Sequence, residues 1–539
     1  MNFFKNKTRD SIRVYLVVIL FIGAVLRFMH INQPLIDAFF WREASTAMMA
    51  DNFYNRSWNI FYPEVSWGGP GPNYQGREFQ AVSYAAALLY TVLGQHDWIG
   101  RSIAAIFGVW GIYALYKLVS RVWDKKRALA SAAVMAVLPG SIFIDRSFLP
   151  DPVMVALVTT SLWMLIVYLQ TERLVYLLLA GATGVFGFLT KIPGLIIGLP
   201  MAYAILAVDG KNILQPKRLA LFGSFAILTL IPVVSYYLWA RHLSLTYPPF
   251  HFAGAGNWIW DEGLQKWWGQ NYFISRLAAR FTTWIWTAPV LLLVLTGFIL
   301  RPPGIKDLKT KKDEPSTGSP VKPIRIFQWW IVAGVIYYFI GAKELIDNPW
   351  NFHIINPAAA ALAGHAIISI GSLKKITWPP ARSAVTLALL LIVFGYGQSG
   401  LRWMYYPYAK ESYKLGLALQ KKAQPGDLIF TVSSAFADPA ALYYSKRRGW
   451  VFPLPHAWDR GSPEKDKDTI RIFEELRTDG AKWLGIVNER LDDLRKNHTF
   501  FMEHITTTCI LDESNKDWVI YRIPPRNGFT DPYKSRKNH

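Results

Sequence analysis

The chain lacks several features that would point to soluble cofactor chemistry or to a disulfide-stabilised secreted fold. Cys509 is the single cysteine in 539 residues, so no disulfide can form within the chain, and cysteine usage does not reveal the redox compartment. Walker and dinucleotide phosphate-binding loops are absent, as are a His-Glu-x-x-His zinc helix and a repeat of fixed period. ATP-driven transport and redox chemistry with a soluble cofactor are therefore not expected.

Acidic residues are also scarce. The sequence has 37 Asp and Glu against 58 Lys and Arg, a formal net charge of +21. A nucleic-acid-binding protein could have this charge, but the basic residues form no continuous face. They fall in short loops between apolar runs, which is how membrane proteins set their orientation. This pattern favours a membrane protein.

Long apolar runs are abundant in the first 400 residues. Hydrophobic residues make up 52% of the chain and aromatic residues 15%. Runs of about 17 to 25 apolar residues suit membrane-spanning helices. Basic residues precede the first run and lie in four later loops, which predicts a cytoplasmic N-terminus. About eleven spans satisfy this charge rule: 14–28, 101–119, 128–144, 152–169, 174–190, 194–208, 219–240, 283–300, 326–342, 354–371 and 383–399.

The segment from Ala81 to Gly94 is apolar but too short for a span, and its length favours a juxtamembrane or re-entrant helix in the first outer loop. If it crossed, the later basic loops would face outward, against the charge rule. With this topology, nine polar side chains emerge on the non-cytoplasmic face. They are Asp37, Glu43, Arg77, Glu78, Arg146, Asp151, Lys191, Lys343 and His353. Charges at a bilayer edge are costly unless they pair, bind or catalyse, so this face is the predicted site.

The composition changes near residue 400. Helical patterns at 411–423, 468–476 and 491–502 alternate with strand patterns at 427–432, 482–487, 505–511 and 517–523. This alternation predicts a small α/β domain. We therefore predict a transmembrane domain over 1–400 and a domain over 401–539, which an odd number of spans places outside the membrane.

Four segments of the first 400 residues resemble motifs of the GT-C glycosyltransferases, a superfamily that includes protein O-mannosyltransferases and aminoarabinose transferases. Trp41-Arg42-Glu43-Ala-Ser-Thr is similar to a Trp-Arg-Gln-Ala-Asp-Thr pattern of bacterial members, with Ser45 at the Asp position. Arg77-Glu78-Phe79 resembles a Glu-Phe-Pro segment before a juxtamembrane helix, and Arg146 to Asp151 resembles an Arg-x-x-x-Pro-Asp segment. The segment Asn351 to Pro357 resembles a later motif in which an aromatic residue or His precedes a Pro-led span.

The resemblance implies transfer of a sugar from a polyprenyl phosphate of the undecaprenyl type to a hydroxyl of a lipid, glycan or protein, with inversion. A carboxylate must take the acceptor proton, and cations must stabilise the leaving phosphate. Because Ser45 replaces the usual Asp, Glu43 and Asp37 are the candidate bases, with Glu43 favoured. Asp151 is the second family carboxylate. Candidate phosphate ligands are Arg77, Arg146, Lys191, Lys343 and His353, and two further site residues are Arg42 and Glu78.

Each of these residues also has an alternative role. The acids could pair with Arg42 or Arg146, Lys191 could extend along the membrane surface, and His353 could be an ordinary hydrogen-bonded residue. No cofactor is required, and a divalent metal is permitted but not indicated. A flippase or transporter for lipid-linked sugars and a non-catalytic membrane assembly protein are the alternative functions. The expected location is a bacterial inner membrane.

Overall fold

The computed structural model describes residues 2–250, 271–304, 323–373, 376–435, 438–452 and 466–526. Its contacts divide the chain into two compact units. The first contains residues 1–31, 100–237 and 255–404, and the second contains 32–99, 238–254 and 405–539. The division near residue 400 lies close to the predicted domain boundary. In contrast to the predicted domains, the second unit also includes the first long loop and the segment 238–254.

The described residues form mostly α-helices, which we number in chain order. They are α1 (Asn2–Phe28), α2 (Phe40–Asn55), α3 (Ala81–Leu93), α4 (Asp97–Val122), α5 (Lys125–Val137), α6 (Pro139–Arg146), α7 (Asp151–Thr171), α8 (Leu174–Thr190), α9 (Gly198–Asp209), α10 (Pro216–Thr246), α11 (Asn271–Arg280), α12 (Ala288–Ile299), α13 (Ile326–Asp347), α14 (Asn356–Gly371), α15 (Pro379–Met404), α16 (Lys410–Lys422), α17 (Ala440–Ser445), α18 (Asp466–Thr478), α19 (Asn488–Asn497) and α20 (Thr499–Thr508). The 3₁₀ segments Ile192–Ile197 and Pro349–Ile355 lead into α9 and α14.

Apolar helices long enough to cross a bilayer make this chain a multi-pass membrane protein. Within the described residues, seven helices meet the length and composition of a span, or nine if each of two bent pairs counts as one. The other two predicted spans fall on helices of 17 residues, Leu174–Thr190 and Ile326–Ala342. The polytopic helical class is confirmed, whereas the count of eleven crossings stays a prediction. The segment from Ala81 to Leu93 is a short apolar helix, as its sequence predicts.

Two predicted spans are bent, and local sequence explains both breaks. Helices α5 and α6 meet at 62°, where Leu138 takes an extended conformation before Pro139. A residue before proline disfavours the helical region, so the helix must restart there. Segments Ile274–Ile285 and Ala288–Ile299 meet at 103°, and Thr287 between them has a φ of 107°. The first break places Asp145 and Arg146 at the end of a short separate helix.

Small residues allow close helix packing in the first unit. Helix α14 carries Ala358 to Ala361, Ala363 and Gly364, all buried against neighbouring helices. A Cβ atom on Gly364 would lie 2.5 Å from the backbone nitrogen of Ser131 in α5, so only glycine fits. Small side chains let helix backbones approach when hydrophobic driving force between helices is weak. This packing fixes the start of α14 at Asn356, directly after the 3₁₀ segment that carries His353.

The C-terminal region contains a five-stranded mixed sheet, which confirms the predicted α/β domain. The strands are β1 (Leu428–Val432), β2 (Arg448–Val451), β3 (Ala481–Val487), β4 (Ile510–Ser514) and β5 (Trp518–Arg522). Their order is β2-β1-β3-β5-β4. Strand β1 pairs in parallel with β2 and β3, while β5 pairs antiparallel with β3 and β4.

One predicted strand of this domain is wrong. We predict a strand over 505–511, a segment that contains the β-branched residues Thr506 to Thr508. Instead α20 continues to Thr508, and the strand begins at Ile510. Phe501, Met502 and Ile505 are buried at helical spacing, so their packing in the core outweighs the local preference for a strand.

The first long loop covers one edge of this sheet within the second unit. The backbone nitrogens of Gly68 and Gly69 both donate to the carbonyl of Gly449 in β2, and Gly449 donates to Ser66. Gly68 and Gly69 have φ values of 124° and 103°, which residues with a side chain rarely adopt. An exposed edge strand invites unwanted pairing. The glycine-rich turn therefore protects β2 and fixes the loop that follows α2.

Candidate functional site

Asp151, Lys191 and Asn351 form a buried polar group in the first unit. Lys191 Nζ lies 2.6 Å from Asp151 Oδ1 and 2.8 Å from Asn351 Oδ1. Asp151 is the first residue of α7, Lys191 follows the last residue of α8, and Asn351 lies in the 3₁₀ segment before α14. Helix ends thus bring together three side chains that are far apart in sequence. Two of them, Asp151 and Lys191, are predicted site residues, and Asn351 lies within a quoted motif.

One oxygen of this group is unusual. Asp151 is fully buried, yet its Oδ2 has no hydrogen-bond partner within the part of the chain that the structure describes. A buried acceptor without a donor costs about 1–3 kcal/mol. Buried polar atoms of this kind mark strained or functional positions. Oδ2 can therefore accept a hydrogen bond from a substrate hydroxyl while Oδ1 holds Lys191.

A second buried network in the first unit surrounds Asp145. Arg27 Nε donates to Asp145 Oδ2 at 2.8 Å, and Arg27 also donates to three carbonyls of α1 and α5. His353 Nε2 lies 2.7 Å from Asp145 Oδ1. Because all three side chains are buried, the charges of Arg27 and Asp145 must compensate each other. Arg27 lies inside the first span and was missed as a site residue, although a charge within a span is itself a functional signal.

Hydrogen bonds fix the orientation of His353. Trp286 Nε1 donates to Asn356 Oδ1 at 2.8 Å, which turns the amide nitrogen of Asn356 toward His353 Nδ1 and Ser141 Oγ. Nδ1 then accepts a hydrogen bond, and the Nε2–H group donates to Asp145. Both ring nitrogens are engaged inside the protein. This arrangement does not favour the predicted role of His353 as a ligand of phosphate or metal and favours its structural alternative.

Arg146 is fully buried and contacts the end of α1. Its Nε and Nη2 lie 3.3 and 3.0 Å from the carbonyl oxygen of His30, and its guanidinium lies 5.5 Å from the ring centre of Phe143. Carbonyl groups at a helix end lack helical partners. Arg146 therefore stabilises the point where the chain leaves α1. Lys343 lies in α13, and its side chain is outside the described part of the structure.

A third charged group lies in the second unit and includes three predicted residues, Arg42, Arg77 and Glu78. Arg42 Nη2 pairs with Glu78 Oε1, and Arg77 Nη2 lies 3.2 Å from the same oxygen. Arg77 Nη1 also bonds Gln75 Oε1 at 3.2 Å. All four side chains are buried. Glu78 is thus shared by two arginines.

The two candidate bases lie next to this group in sequence. Glu43 is in the first turn of α2, and Asp37 lies in the turn before it, where its carbonyl accepts from Phe40. Both are fully buried. The predicted residues are therefore grouped by unit: Asp37, Arg42, Glu43, Arg77 and Glu78 in the second, and Arg146, Asp151, Lys191 and His353 in the first.

The carboxylates of Asp145, Glu78 and Asp151 pair with protein cations. Among the described residues, no set of three or more His, Cys, Asp or Glu side chains is arranged to hold a metal ion. The acids that are paired have Arg or Lys as partners, which already supply positive charge.

Comparison with known proteins agrees with this description. The family model for dolichyl-phosphate-mannose-protein mannosyltransferases matches residues 80–237. YkcB, a proposed mannosyltransferase of Bacillus subtilis (strain 168), is 22% identical over 277 residues. That match covers 49% of this chain and 37% of YkcB, so the chain spans little more than a third of that relative.

Solved structures match over more of the chain. ArnT from Cupriavidus metallidurans in the apo state has a TM-score of 0.63 at 12% identity, covering 96% of this chain and 100% of ArnT. ArnT bound to undecaprenyl phosphate has a TM-score of 0.60 at 12% identity, covering 95% and 99%. The Archaeoglobus fulgidus oligosaccharyltransferase, in complex with zinc and sulfate, has a TM-score of 0.58 at 13% identity, covering 87% and 68%.

These similarities define a class of protein. The chain has the GT-C fold, with a multi-pass helical part and a small C-terminal sheet domain. Together with the family match over residues 80–237, they confirm the resemblance to GT-C glycosyltransferases that the sequence motifs indicate.

Proposed function

We propose that this protein transfers a sugar from a polyprenyl-phosphate donor of the undecaprenyl type to an acceptor hydroxyl at the outer face of a bacterial inner membrane. The observation that carries the proposal is the buried Asp151–Lys191–Asn351 group, with one carboxylate oxygen left to accept from a ligand. The GT-C fold supports it, because ArnT of the same fold is known bound to undecaprenyl phosphate.

The first requirement of the reaction is stabilisation of the leaving phosphate. Lys191 is a cation at the end of α8, held by two oxygen acceptors. A lysine acts as a point charge toward phosphate oxygens, and a fixed cation stabilises charge as it develops. We assign Lys191 to the donor phosphate, with Asp151 Oδ1 and Asn351 as its positioning partners. Arg77 is a second candidate cation, in the group around Glu78.

The second requirement is a base. The acceptor oxygen attacks the anomeric carbon, a new C–O bond forms, and the bond from that carbon to the phosphate oxygen breaks with inversion. A carboxylate takes the hydroxyl proton, and the electron pair of the broken bond leaves with the lipid phosphate. We assign the base to Glu43, with Asp37 as the alternative, and a hydrogen bond from a substrate hydroxyl to Asp151 Oδ2.

The proposed topology follows the charge rule. The N-terminus is cytoplasmic, and the C-terminal sheet domain is extracytoplasmic. The acceptor is a hydroxyl of a lipid, glycan or protein, and the sugar is a hexose or pentose. No cofactor is required, so transfer is expected to continue in the presence of EDTA.

The test uses the full-length protein in lipid nanodiscs with undecaprenyl-phosphate-linked sugars and cell-envelope fractions as acceptors. Release of undecaprenyl phosphate and mass gain of the acceptor are followed by mass spectrometry. We expect Glu43→Gln, Asp151→Asn and Lys191→Met each to lower transfer at least 100-fold. Glu172→Gln, which alters an exposed acid paired with Arg218, is the matched control and should retain activity.

Two results would contradict the proposal. If all three variants transfer sugar at the wild-type rate, the assigned residues are not the site. If the protein moves labelled lipid across the bilayer of a vesicle without transferring sugar, it is a flippase. Comparing glycans and lipid-linked sugars of cells with and without the gene would identify the donor and acceptor.

A further inference from the structure

A cavity lies in the C-terminal sheet domain, apart in sequence from all the residues assigned to sugar transfer. Its volume is about 620 Å³, and it lies beside strands β3 and β5. Binding sites for small molecules usually have about 300–1,000 Å³. The cavity is therefore large enough for a ligand of a few sugar rings or residues.

The described lining of this cavity is strongly basic. It includes four cations and one carboxylate, that of Asp427. The cations are Arg477, Lys482, Arg522 and Arg526. Three of them keep most of their side chains in solvent: the exposed fraction is 62% for Lys482 and 59% for both Arg522 and Arg526. The charged ends of these three side chains are therefore already accessible to a ligand.

Between the cations the lining is apolar and stiff. Ile523, Pro524 and Pro525 follow β5 and line the cavity together with Trp483 of β3. Trp483 Nε1 donates to Asp427 Oδ2 at 3.0 Å, which fixes the indole ring, and the Arg522 guanidinium lies 5.5 Å from its centre. A ligand for this surface should combine a flat apolar face with negative charge.

Neighbouring carboxylates hold the four cations of the cavity in position. Lys482 Nζ lies 2.7 Å from Asp427, and Arg522 Nη2 lies 3.5 Å from Asp512. Arg477 and Arg526 both approach Glu474, at 3.3 and 3.5 Å, and Arg477 Nε also donates to the carbonyl of Pro524 at 2.8 Å. Such partners orient the guanidinium groups before a ligand binds. Arginine then offers paired N–H donors that match carboxylate and phosphate groups.

We propose that this cavity binds an anionic saccharide, that is, a glycan whose sugar rings carry carboxylate or phosphate groups. The rings would lie on the proline and isoleucine surface, and their acidic groups would contact Arg522, Arg526 and Lys482. The choice of a saccharide over an acidic peptide rests on the proposed sugar-transfer function, since such a glycan would be an acceptor or product held close to the enzyme.

The test is a binding titration of the full-length protein in detergent micelles with digalacturonate, a two-ring sugar acid. Calorimetry should show saturable binding that weakens at higher salt, as expected for exposed cations. Arg522→Gln combined with Arg526→Gln should raise the dissociation constant at least 10-fold. Arg471→Gln is the matched control, because Arg471 is as exposed as Arg522, lies on neighbouring α18 and pairs with Glu475 outside the cavity lining.

Three competing ligands test which chemical features the cavity recognises. Neutral digalactose should bind at least 10-fold more weakly, and triglutamate and inorganic phosphate should fail to displace digalacturonate at equal concentration. Absence of saturable binding, equal binding of digalactose, or displacement by triglutamate or inorganic phosphate would each overturn the proposal. The sugar-transfer function is tested separately: Asp151→Asn should lose transfer and keep digalacturonate binding, so either proposal can fail alone.

Discussion

Lys191 Nζ lies 2.6 Å from Asp151 Oδ1, a buried contact between residues that are forty positions apart. The ammonium group compensates a carboxylate that would otherwise be buried without a counter-charge, and Asn351 holds it from the other side. A buried pair of this kind is costly to break from one side only, because the remaining charge loses its partner. The contact therefore links the stability of the helix ends to the proposed chemistry.

The Lys191–Asp151 pair predicts a rescue between two substitutions. Lys191→Met should lower the free energy of unfolding by about 3–5 kcal/mol, because Asp151 stays buried and charged. The double variant Lys191→Met with Asp151→Asn should recover a large part of this loss, since no charge is left unpaired. Thermal unfolding in detergent measures both. A double variant no more stable than Lys191→Met would show that the pair is not coupled.

Arg27 gives a second stability prediction with a control on the same helix. Arg27→Met should lower the free energy of unfolding by about 3–5 kcal/mol, because Asp145 loses its arginine partner in a buried position. Arg13→Met, an exposed position on α1, should change stability by less than about 0.5 kcal/mol. The unfolding midpoints of the two variants in the same detergent are compared. Similar losses in both would mean that the Arg27–Asp145 contact is not the cause.

Lys446 is expected to hold α2 through Asp51. Its Nζ lies 2.5 Å from Asp51 Oδ2, and burial raises the pKa of Asp51 while Lys446 opposes that rise. Lys446→Met should raise this pKa further, so the variant should lose stability as pH rises above about 4 and be weakest near neutral pH. Unfolding midpoints at pH 5 and pH 7.5 test this. Adding Asp51→Asn should remove the pH dependence, and a variant equally stable at both pH values would contradict it.

Ionisation of Asp438 should make the C-terminal domain less stable as the pH rises. A carboxylate whose pKa is lowered by folding has the opposite effect. Asp438 is buried, and burial raises its pKa to about 6, although Ala440 and Ser412 donate to it. The folded state then holds a proton that the unfolded state has lost. The free energy of unfolding should therefore fall by up to about 3 kcal/mol as pH rises from about 4 to 6, at about 1.4 kcal/mol per pKa unit.

Asp438→Asn tests this effect, because an amide cannot ionise. Its unfolding midpoint should vary less between pH 4 and 6 than that of the wild type. Asp492→Asn, at an exposed position, should leave the wild-type pH dependence intact. The same slope in wild type and Asp438→Asn would exclude Asp438 as the titrating group.

Cys509 offers a probe for opening of the sheet domain. It is buried, and burial raises the pKa of its thiol to about 12. Because the thiolate is the reactive form, labelling by maleimide at pH 8 should be about 1,000-fold slower than for an unperturbed thiol. Full labelling should appear in denaturant. Rapid labelling of the native protein would show that this strand end is open.

The sequence alone predicts much of the helical framework, and particular residues show why. Each predicted span from 14–28 to 383–399 falls on an apolar helix or on a bent pair of helices, because run length and loop charge are local properties. Breaks were harder to predict. Pro139 gives a visible signal for the bend after α5, but the turn at Thr287 depends on its left-handed conformation in the folded chain.

The candidate site residues also differ in how well the sequence predicts their contacts. Asp151 and Lys191 were chosen from motifs and topology, and the structure pairs them. His353 was also chosen, but Asn356 and Asp145 occupy both of its ring nitrogens. The Asp145 contact joins residues 208 positions apart, and no local pattern in the sequence indicates it.

The sequence by itself determined the class of this protein: apolar runs, basic loops and a change of composition near residue 400 specify a multi-pass helical protein with an α/β domain. Only the tertiary structure decided which charges pair and which residues share one unit. The physical reason is the separation along the chain between the residues that interact. Helix formation and membrane insertion depend on neighbours in the chain, whereas ion pairs between distant residues depend on how the helices pack.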